Sequence, residues 1–559
     1  MGIPLRYSIV SACMVVFTAA TVFKTYCAID DAYRAQTDAQ IETVRKGDLS
    51  ILVLYGAAKQ PLANTPVSLK QIQNDFGFGA SVCWDSGFVK MGKDEYGSMV
   101  KKYFEWVTPE NELKWYYNDT TGNQPCAPAS YDDGDSIVDW ALANGINVRG
   151  HNLFWNERVE FQAYCARPYG PYDGVDSSTE IKALSEEDRD AFIGEMSTRL
   201  DSMVIRYKGK VRHWDAVNEI VHFTTDNDGA REVRVPGLLA TWTGKTGNGG
   251  AEVFNWILDR ARGIDPDVKL CVNEYNVIEQ AHDEADYISM INKINSGAGP
   301  GGKIDIIGLE GHFGGMISRT QNGSYAGYES VINTIAAGVD IDNSDMEFWF
   351  TEVDWNDQAP GNTADNMEEL MRFAFSREDF GGLLLWIWWG GRLWRDDLAN
   401  FLVDANFTET ETGARWNALR RQWTTPDTTI TTDANGMLNI RGFYGTYTLN
   451  DDTAKLVFTP EKLTDTIWLQ PTAVALPGYT KRKAKMIFNG STIRLEGIAG
   501  TSGPLYLSTY TIAGKLLSRI PITVTGTTGF CTCLPSGCSV YRIGTDKNVL
   551  YSGRIVNIQ

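Results

Sequence analysis

The sequence lacks several features that would assign it to common functional classes. No hydrophobic run after Phe23 is long enough to cross a bilayer, so the mature chain is predicted to have no transmembrane span. Lys and Arg number 51 against 70 Asp and Glu, and the net charge of −19 makes nucleic acid a poor partner. No Cys pair has the usual spacing of a zinc site and no Gly-rich loop suits a phosphate group, so we expect neither a metal nor a cofactor.

Length and composition indicate more than one folded domain. The 559 residues exceed one ordinary domain, and a hydrophobic content of 43% with 22% charged residues excludes a largely disordered chain. Residues 480–559 contain ten basic and two acidic residues, although the chain as a whole is acidic. This change in charge indicates a separate C-terminal module.

The first residues are predicted to direct export. Arg6 precedes the apolar stretch Tyr7–Phe23, which is typical of a secretory signal peptide. Cleavage could follow Ala20 or Ala28, and residues 1–28 are therefore assigned to the signal. An uncleaved membrane anchor is the alternative. We expect the mature protein to be secreted or held at the cell surface.

Apolar runs of strand length recur between residues 76 and 390, and helical segments separate most of them. This alternation predicts an α/β fold, a (β/α)8 TIM barrel over residues 76–425. A short β-rich prelude (29–75) is expected before it, and a β-rich connector and linker (426–480) after it. Residues 481–559 are predicted to form a small all-β sandwich. The eight runs are Phe76–Val82, Tyr103–Val107, Ile146–Trp155, Val211–Val217, Val268–Asn273, Ile304–Gly308, Glu347–Val353 and Gly382–Trp389.

Two carboxylates stand out at the ends of these runs, where the active site of such a barrel lies. Glu219 ends strand four and Glu352 ends strand seven, and carboxyls roughly 5–5.5 Å apart across the mouth would suit retaining glycoside hydrolysis. One would attack the anomeric carbon and the other would protonate the leaving oxygen. Asn218 could hold the sugar 2-hydroxyl, and His312 and Asp354 could keep Glu352 oriented and ionised.

Ordered motifs over roughly residues 40–425 carry a family resemblance. They are Thr108–Trp115, Gly150–Trp155, Trp214–Glu219, Asn273–Asn276, Gly308–His312, Thr351–Asp354 and the pair Trp386 and Trp394. Together they resemble glycoside hydrolase family 10, the endo-β-1,4-xylanases. The resemblance implies a secreted retaining endo-1,4-β-xylanase with Glu219 as acid/base and Glu352 as nucleophile. It also implies the substrate contacts, which are Glu110, Asn111, Lys114, His151, Trp155 and Asn218 on the non-reducing side, Trp386 and Trp394 over the same region, and Tyr275 on the reducing side.

Two departures from the family pattern concern the substrate cleft. The family usually has Gln where this chain has Glu310, which we place among the substrate-binding residues. An ionised Glu310 would raise the pKa of Glu352, unless Glu310 is itself protonated or paired. Trp388 and Trp389 stand beside Trp386, and could either extend the stacking surface or pack outward.

Alternatives to the xylanase interpretation remain open. A related β-1,4-glucanase of mixed specificity would share the same carboxylates, and a non-catalytic polysaccharide-binding protein would not need them. The expected partner is xylan or a related β-1,4-linked plant cell-wall polysaccharide.

The C-terminal module is similar to sorting domains of type IX-like secretion, through Tyr510–Lys515, Leu534–Gly537 and Val540–Ile543. Secretion machinery is then a second partner. A carbohydrate-binding sandwich is the rival interpretation, but no Trp follows Trp468, so the sequence favours sorting.

Overall fold

The computed structural model describes most of the central chain and a set of C-terminal strands. The described residues are 29–56, 58–121, 124–125, 130–155, 186–221, 251–279, 283–314, 319, 327–356, 363–450, 454–469, 474–475, 485–489, 492–496, 505–510, 516–525, 528–532, 537–544 and 549–557. The predicted signal peptide lies outside them, as do residues 476–480 at the end of the predicted linker. Within these ranges, no helix combines the length and the apolar character that crossing a membrane requires.

Eight parallel strands close into the TIM barrel that the sequence predicts. Each pairs with the next, and the eighth pairs with the first, for example Gly382 with Gly77. A short strand, Phe154–Trp155, also pairs with the fourth. Barrel strands one to eight are, in chain order, Gly77–Val82, Trp106–Pro109, Asn147–Gly150, His213–Asn218, Lys269–Glu274, Ile306–Phe313, Glu347–Trp355 and Phe380–Leu385.

Strand two begins later than its apolar run suggests. Tyr103 ends the helix Lys93–Tyr103, and its buried ring belongs to the core beneath that helix. The strand itself begins at Trp106. An apolar run does not by itself distinguish the buried last turn of a helix from the start of a buried strand.

Helices surround the barrel and bury one face each. In Ala251–Ile264 the residues Val253, Phe254, Ile257, Leu258 and Ala261 are buried, at the spacing of one helix face. The helices of the barrel region are Lys93–Tyr103, Trp115–Asp119, Asp132–Ala143, Glu186–Tyr207, Ala251–Ile264, Glu284–Ser296, Tyr328–Gly338, Thr363–Phe375 and Glu411–Gln422, with a π-helix at Trp84–Val89, a 3-10 turn at Ile341–Asn343 and a small hairpin of Thr120–Thr121 with Gln124–Pro125.

The predicted β-rich prelude contains a helix, Asp31–Val44, before its strands, and the sequence analysis did not predict this helix. Asp30 caps it by accepting a hydrogen bond from the backbone N–H of Tyr33 at 2.6 Å. Tyr33, Thr37 and Ile41 are buried at intervals of four residues, which is a helical face rather than the alternation of a strand.

The strands in the rest of the prelude pair with strands of the connector, and together they form one folded unit. Lys46–Tyr55 pairs antiparallel with Met437–Phe443 and parallel with Thr464–Leu469. Pro66–Asn74 pairs with Thr428–Thr431 and with Gly445–Leu449. A core including Leu49, Ile51, Val67, Leu69 and Tyr447 lies between the two sheets. Because two or three isolated strands are at most marginally stable in water, pairing across the two segments stabilises both. The remaining strands of this unit are Gln60–Pro61 and Leu456–Phe458.

The described C-terminal residues form an all-β, antiparallel arrangement. Leu516–Thr525 lies at its centre: its first part pairs with Leu505–Tyr510 and its last part with Thr528–Thr532. One strand therefore belongs to both halves of the sheet. The strands in sheet order are Val474–Ala475, Lys485–Asn489, Thr492–Glu496, Thr528–Thr532, Leu516–Thr525, Leu505–Tyr510, Gly537–Gly544 and Val549–Asn557.

Candidate active site

The register of barrel strands six and seven sets the centre of the site. It pairs Glu310 with Glu352 and His312 with Asp354, after a bulge between Leu309 and Glu310. Because paired residues on neighbouring strands point to the same face, these four side chains share one side of the barrel mouth. Gly308 allows strand five to approach, since a Cβ there would lie 2.5 Å from Cβ of Asn273.

His312 lies between three carboxylates. Its Nε2 is 3.5 Å from Oε2 of Glu310 and 3.5 Å from Oε2 of Glu352, and its Nδ1 is 3.0 Å from Oδ2 of Asp354. Burial lowers the pKa of His312, but Asp354, Glu310 and Glu352 raise it by more, so the pKa lies well above its ordinary value. His312 therefore carries a positive charge in the middle of the acidic cluster.

The two acids that flank His312 have opposite pKa shifts. Burial raises the pKa of Glu310, and the neighbouring Glu352 raises it further. Burial also opposes ionisation of Glu352, but His151, His312 and Lys114 outweigh it and lower its pKa. Nδ2 of Asn273 donates to Oε1 of Glu310 at 2.8 Å and to Oε1 of Glu352 at 3.4 Å. The cluster thus favours an ionised Glu352 beside a protonated Glu310.

His151 approaches Glu352 from strand three. Its Nδ1 is 2.8 Å from Oδ2 of Asp215 and 3.7 Å from Oε1 of Glu352. Asp215 also forms an ion pair with Arg149, and all three partners of this buried group are almost completely shielded from solvent. Burial lowers the pKa of His151, and Glu352 and Asp215 oppose this shift without cancelling it.

Glu219 follows strand four at the same rim. Its φ is +56°, a left-handed conformation that is uncommon for a non-glycine residue and often found at functional sites. Nδ2 of the buried Asn218 lies 3.4 Å from Oε1 of Glu219. Glu219 also raises the pKa of Glu310, which places the two carboxyls within electrostatic reach of each other. Glu219 therefore lies near Glu310, which is the register partner of Glu352.

Aromatic rings and one lysine border this cluster on one side. Nζ of Lys114 lies 4.4 Å from the ring centre of Trp155 and 5.7 Å from that of Trp386. The rings of His151 and Trp386 meet edge-on at 5.1 Å. Trp155 is half-buried, whereas Trp386 is buried. The Lys114 ammonium group can donate to hydroxyl groups, and the two flat rings offer apolar surface beside it. Such a site suits a ligand that carries hydroxyl groups on a largely apolar ring.

Trp394 and Tyr275 border the site on other sides. Trp394 is 46% exposed, and its Nε1 donates to Oδ2 of Asp354 at 2.7 Å. Its ring meets that of His312 edge-on at 5.2 Å. Tyr275 follows strand five, where its backbone N–H donates to Oε1 of Glu274 at 2.9 Å. Trp394 thus joins the cluster directly, and Tyr275 is placed at the rim by its backbone.

Glu110 and Asn111, which follow strand two, are joined to a residue that sequence reasoning missed. Arg392, from the loop after strand eight, donates to both carboxylate oxygens of Glu110. Nδ2 of Asn111 also lies 3.3 Å from Oε1 of Glu110. No sequence signal marked Arg392, because its contact with Glu110 joins the loop after strand eight to the loop after strand two, which are far apart in the sequence.

Asp215 and Asn273 were also missed as site residues, although each had a signal. Asp215 is an acid inside an apolar strand run, where burial requires a partner. Asn273 stands at the end of strand five among other polar residues. Their roles follow only from their bonds to His151, Glu310 and Glu352.

Trp388 and Trp389 pack outward, which decides the alternative that the sequence left open. Both belong to the core around the barrel. Nε1 of Trp388 donates to the carbonyl of Ser81 at 2.9 Å, and Trp389 stacks on Phe407 with ring centres 5.2 Å apart. They do not extend the stacking surface that Trp386 provides.

One group in the described part of the chain has the composition of a cation site. Glu310, His312 and Glu352 offer one ligand atom each, all within 4.8 Å of one another. Since the pKa of His312 is raised, this ring carries a proton and repels a cation. We therefore interpret the group as one that shares protons.

Comparisons with known proteins identify a family for this chain. A family model described as Glycosyl hydrolase family 10 matches residues 68–416. The chain is 30% identical to Anti-sigma-I factor RsgI6 of Acetivibrio thermocellus over 74% of its own length and 46% of that protein. It is 24% identical to Endo-1,4-beta-xylanase 1 of Arabidopsis thaliana over 73% of its length and 36% of that protein.

The chain thus spans less than half the length of these two curated relatives. Among solved structures, a GH10 structure from Paenibacillus barcinonensis has a TM-score of 0.47 and 20% identity, and the match covers 62% of this chain and 96% of that one.

Proposed function

This chain belongs to glycosyl hydrolase family 10, and we propose that it is a retaining endo-1,4-β-xylanase. Its substrate would be the internal β-1,4 linkages of xylan or of a related plant cell-wall polysaccharide. Relatives named as endo-1,4-β-xylanases support this substrate class. The proposal needs no cofactor, because the carboxyl pair and its neighbours supply all the groups that the reaction uses.

The observation that carries the proposal is the setting of Glu352. Its carboxyl group is buried among His151, His312 and Asn273, and its pKa is lowered. A carboxylate that stays ionised in a shielded site is suited to attack an anomeric carbon. Glu310, with its raised pKa, would occupy the neighbouring position without adding a second negative charge.

The reaction would proceed by two displacements at the anomeric carbon. In the first, an oxygen of Glu352 forms a bond to the anomeric carbon. The bond between that carbon and the glycosidic oxygen breaks at the same time, and Glu219 protonates the leaving oxygen. In the second, water attacks the same carbon, Glu219 takes the proton from water, and the ester bond to Glu352 breaks. Two inversions leave the configuration of the anomeric carbon unchanged.

The remaining site residues would hold the sugar chain. Lys114, Trp155 and Trp386 offer a cation and two ring faces beside the reacting centre. Asn218 stands next to Glu219, where it could bind the 2-hydroxyl of the reacting sugar. Hydrogen bonds to that hydroxyl strengthen in the transition state of such reactions. Glu110 and Asn111 would also bind the sugar chain on the non-reducing side, and Tyr275 and Trp394 would complete the rim.

The first experiment measures reducing-end release from soluble glucuronoxylan and from carboxymethyl cellulose, for the wild type and Glu352→Ala. We expect release from xylan and a loss of roughly 10⁴-fold or more in the variant. Substantial residual activity would refute the role of Glu352. Comparable activity on cellulose would support instead the β-1,4-glucanase of mixed specificity, which uses the same carboxyl pair.

The stereochemistry is tested separately on an aryl β-xylobioside. Proton NMR during the first minutes should show the β-anomer of the product before mutarotation. A 2-fluoro-2-deoxy glycoside inactivator should label the peptide that contains Glu352. An α-anomer as first product would contradict the double displacement.

Polysaccharide binding without turnover is the second candidate, because one relative at 30% identity is named as an anti-sigma factor and not as a hydrolase. Binding of xylohexaose by calorimetry separates the two candidates. Affinity with no hydrolysis in the wild type would favour the binding function. Hydrolysis that disappears in Glu352→Ala would exclude it.

We further propose that the protein is secreted or held at the cell surface and that its C-terminal module engages secretion machinery. The apolar stretch Tyr7–Phe23 and the basic, β-rich tail support this proposal. Export of the full chain should be compared with export of a chain ending at residue 480. Equal export of both would reject the sorting role, and xylan binding by residues 481–559 alone would favour a carbohydrate-binding module.

A further inference from the structure

Arg392 and Glu110 form a two-bond ion pair across one end of the cleft. Nε of Arg392 donates to Oε2 of Glu110 at 2.6 Å, and Nη2 donates to Oε1 at 2.8 Å. Nη1 lies 3.2 Å from Oγ of Ser86, in the π-helix Trp84–Val89 after strand one. The planar guanidinium thus fixes the plane of the carboxylate, as bidentate pairs of this kind do.

Both partners of the pair are held by other parts of the fold. The backbone N–H of Glu110 donates to the carbonyl of Val82 at 2.8 Å, which fixes the main chain of Glu110 to strand one. The Glu110 side chain is 12% exposed and that of Arg392 is 35% exposed, so the pair is partly shielded from solvent. The bond to Glu110 raises the pKa of Arg392, and the guanidinium stays charged. Shielded, charge-assisted bonds of this geometry are stronger than surface ion pairs.

The pair lies beside the reacting centre. Glu110, Arg392 and Trp386 line one small cavity, which the core residues Tyr96, Trp388 and Trp389 close on its other side. Trp386 in turn contacts His151, which lies next to Glu352. A sugar chain that stacks on Trp386 would therefore pass close to the Glu110 carboxylate.

We infer that Arg392 is a positioning residue that orients Glu110 for the second sugar on the non-reducing side. The inference rests on the proposed function. Glu110 would accept hydrogen bonds from that sugar, and Arg392 would act through Glu110 by keeping its carboxylate in one orientation. Without the guanidinium, the Glu110 side chain would have to lose rotational freedom when the sugar binds, which weakens binding.

Two aryl glycosides separate this role from a general structural one. An aryl β-xyloside occupies the first sugar position alone, and an aryl β-xylobioside occupies the first and the second. In Arg392→Met, the ratio of kcat/KM for the xylobioside to kcat/KM for the xyloside should fall roughly tenfold relative to the wild type. Arg392→Lys keeps the charge but not the two-bond geometry, and should restore only part of the ratio.

A matched control and a double variant complete the test. Arg260 forms a similar two-bond pair with Asp201 on the outer helices, with bonds of 2.6 and 2.7 Å. Arg260→Met should leave the ratio unchanged. Glu110→Gln should lower the ratio as Arg392→Met does. The ratio in the double variant should fall no further than in Glu110→Gln alone, because Arg392 and Glu110 act on the sugar through one contact.

Three outcomes would overturn the inference. The first is an equal loss of kcat/KM on both substrates in Arg392→Met, and the second is no loss of kcat/KM on either substrate. The third is that the losses in the ratio add up in the double variant.

If Arg392→Met does not fold, as judged by its thermal unfolding, Arg392→Lys supplies the same comparison. If the wild type cleaves neither substrate, the proposed function fails. The positioning role is then decided by whether Arg392→Met weakens binding of xylobiose more than binding of xylose.

Discussion

Nδ1 of His151 lies 2.8 Å from Oδ2 of Asp215, and both side chains are buried. Asp215 also pairs with Arg149, so one carboxylate neutralises a guanidinium and orients an imidazole inside the barrel. Asp215→Asn should therefore lower the free energy of unfolding by about 3–5 kcal/mol, since it leaves Arg149 charged, buried and unpaired. It should also lower kcat/KM, because a neutral amide with a single acceptor oxygen replaces the carboxylate that fixes the His151 ring beside Glu352.

Chemical denaturation and xylan hydrolysis measure the two effects. Asp201→Asn is the control, since Asp201 pairs with Arg260 where both side chains are 36% exposed. The control should change stability by about 0–1 kcal/mol and leave activity unchanged. If Asp215→Asn and Asp201→Asn changed stability and activity equally, burial of the Asp215–Arg149 pair would not be the cause of the predicted effects.

Glu310 should be protonated in the working enzyme. Burial raises its pKa, and Glu352 and Glu219 raise it further, although His312 opposes this. Glu310→Gln then replaces one neutral group with another, and the acid limb of the kcat/KM profile, set by ionisation of Glu352, should stay in place. The measurement is kcat/KM for an aryl xylobioside across pH 3–9.

A shift of that acid limb to lower pH in Glu310→Gln would contradict the prediction. Removing an ionised neighbour lowers the pKa of a carboxyl group, so such a shift would show that Glu310 is charged beside Glu352. Glu347→Gln is a suitable control, because Glu347 pairs with Lys269 at the start of strand seven.

Glu112 should make the protein less stable as pH rises. Burial raises its pKa to about 7, even though the backbone N–H groups of Trp84 and Asn111 donate to its carboxyl group. Between about pH 4.5 and 7 the folded state therefore holds a proton that the unfolded state has released. The free energy of unfolding must fall with pH across this window, by at most about 1.4 kcal/mol per pH unit for one such group.

Urea denaturation of the wild type and Glu112→Gln at several pH values tests this. The variant carries no ionisable group at this position, so its stability should fall less steeply between pH 4.5 and 7. Parallel slopes for the two proteins would rule out Glu112 as a source of the pH dependence.

Trp388 and Trp394 should respond in opposite ways to substitution. Trp388 is buried and bonded to Ser81, so Trp388→Ala should lower the free energy of unfolding by about 3–5 kcal/mol. Trp394 is 46% exposed, so Trp394→Ala should change stability little but weaken substrate binding. Thermal unfolding measures the loss of stability expected in Trp388→Ala, and KM for xylan measures the weaker binding expected in Trp394→Ala. Trp394→Phe keeps a ring but loses the bond to Asp354, and separates stacking from that bond.

Much of the barrel and of its site could be predicted from the sequence for a physical reason. Parallel strands buried on both faces form continuous apolar runs, and their carboxyl ends meet at one rim. Glu219, Glu352 and His312 could therefore be placed at one rim before any distance was known. The structure adds the strand register, which places Glu310 beside Glu352 and His312 beside Asp354.

The prelude shows where such reasoning stops. Alternating residues predicted its strands, but their partners lie far away in the sequence, as when Ser50 pairs with Asn439. The helix Asp31–Val44 was missed although Asp30 provides a typical cap. An amphipathic pattern shows that a segment needs a partner and does not identify that partner.

By itself the sequence determined the alternation of strands and helices, the residue types at the strand ends and the acidic balance of the chain. Only the tertiary structure decided that Trp388 packs into the core and that Arg392 holds Glu110. Local pattern fixes which face of an element is apolar, because periodicity follows from backbone geometry. Which side chains then meet depends on register and loop paths, which are set by packing across hundreds of residues.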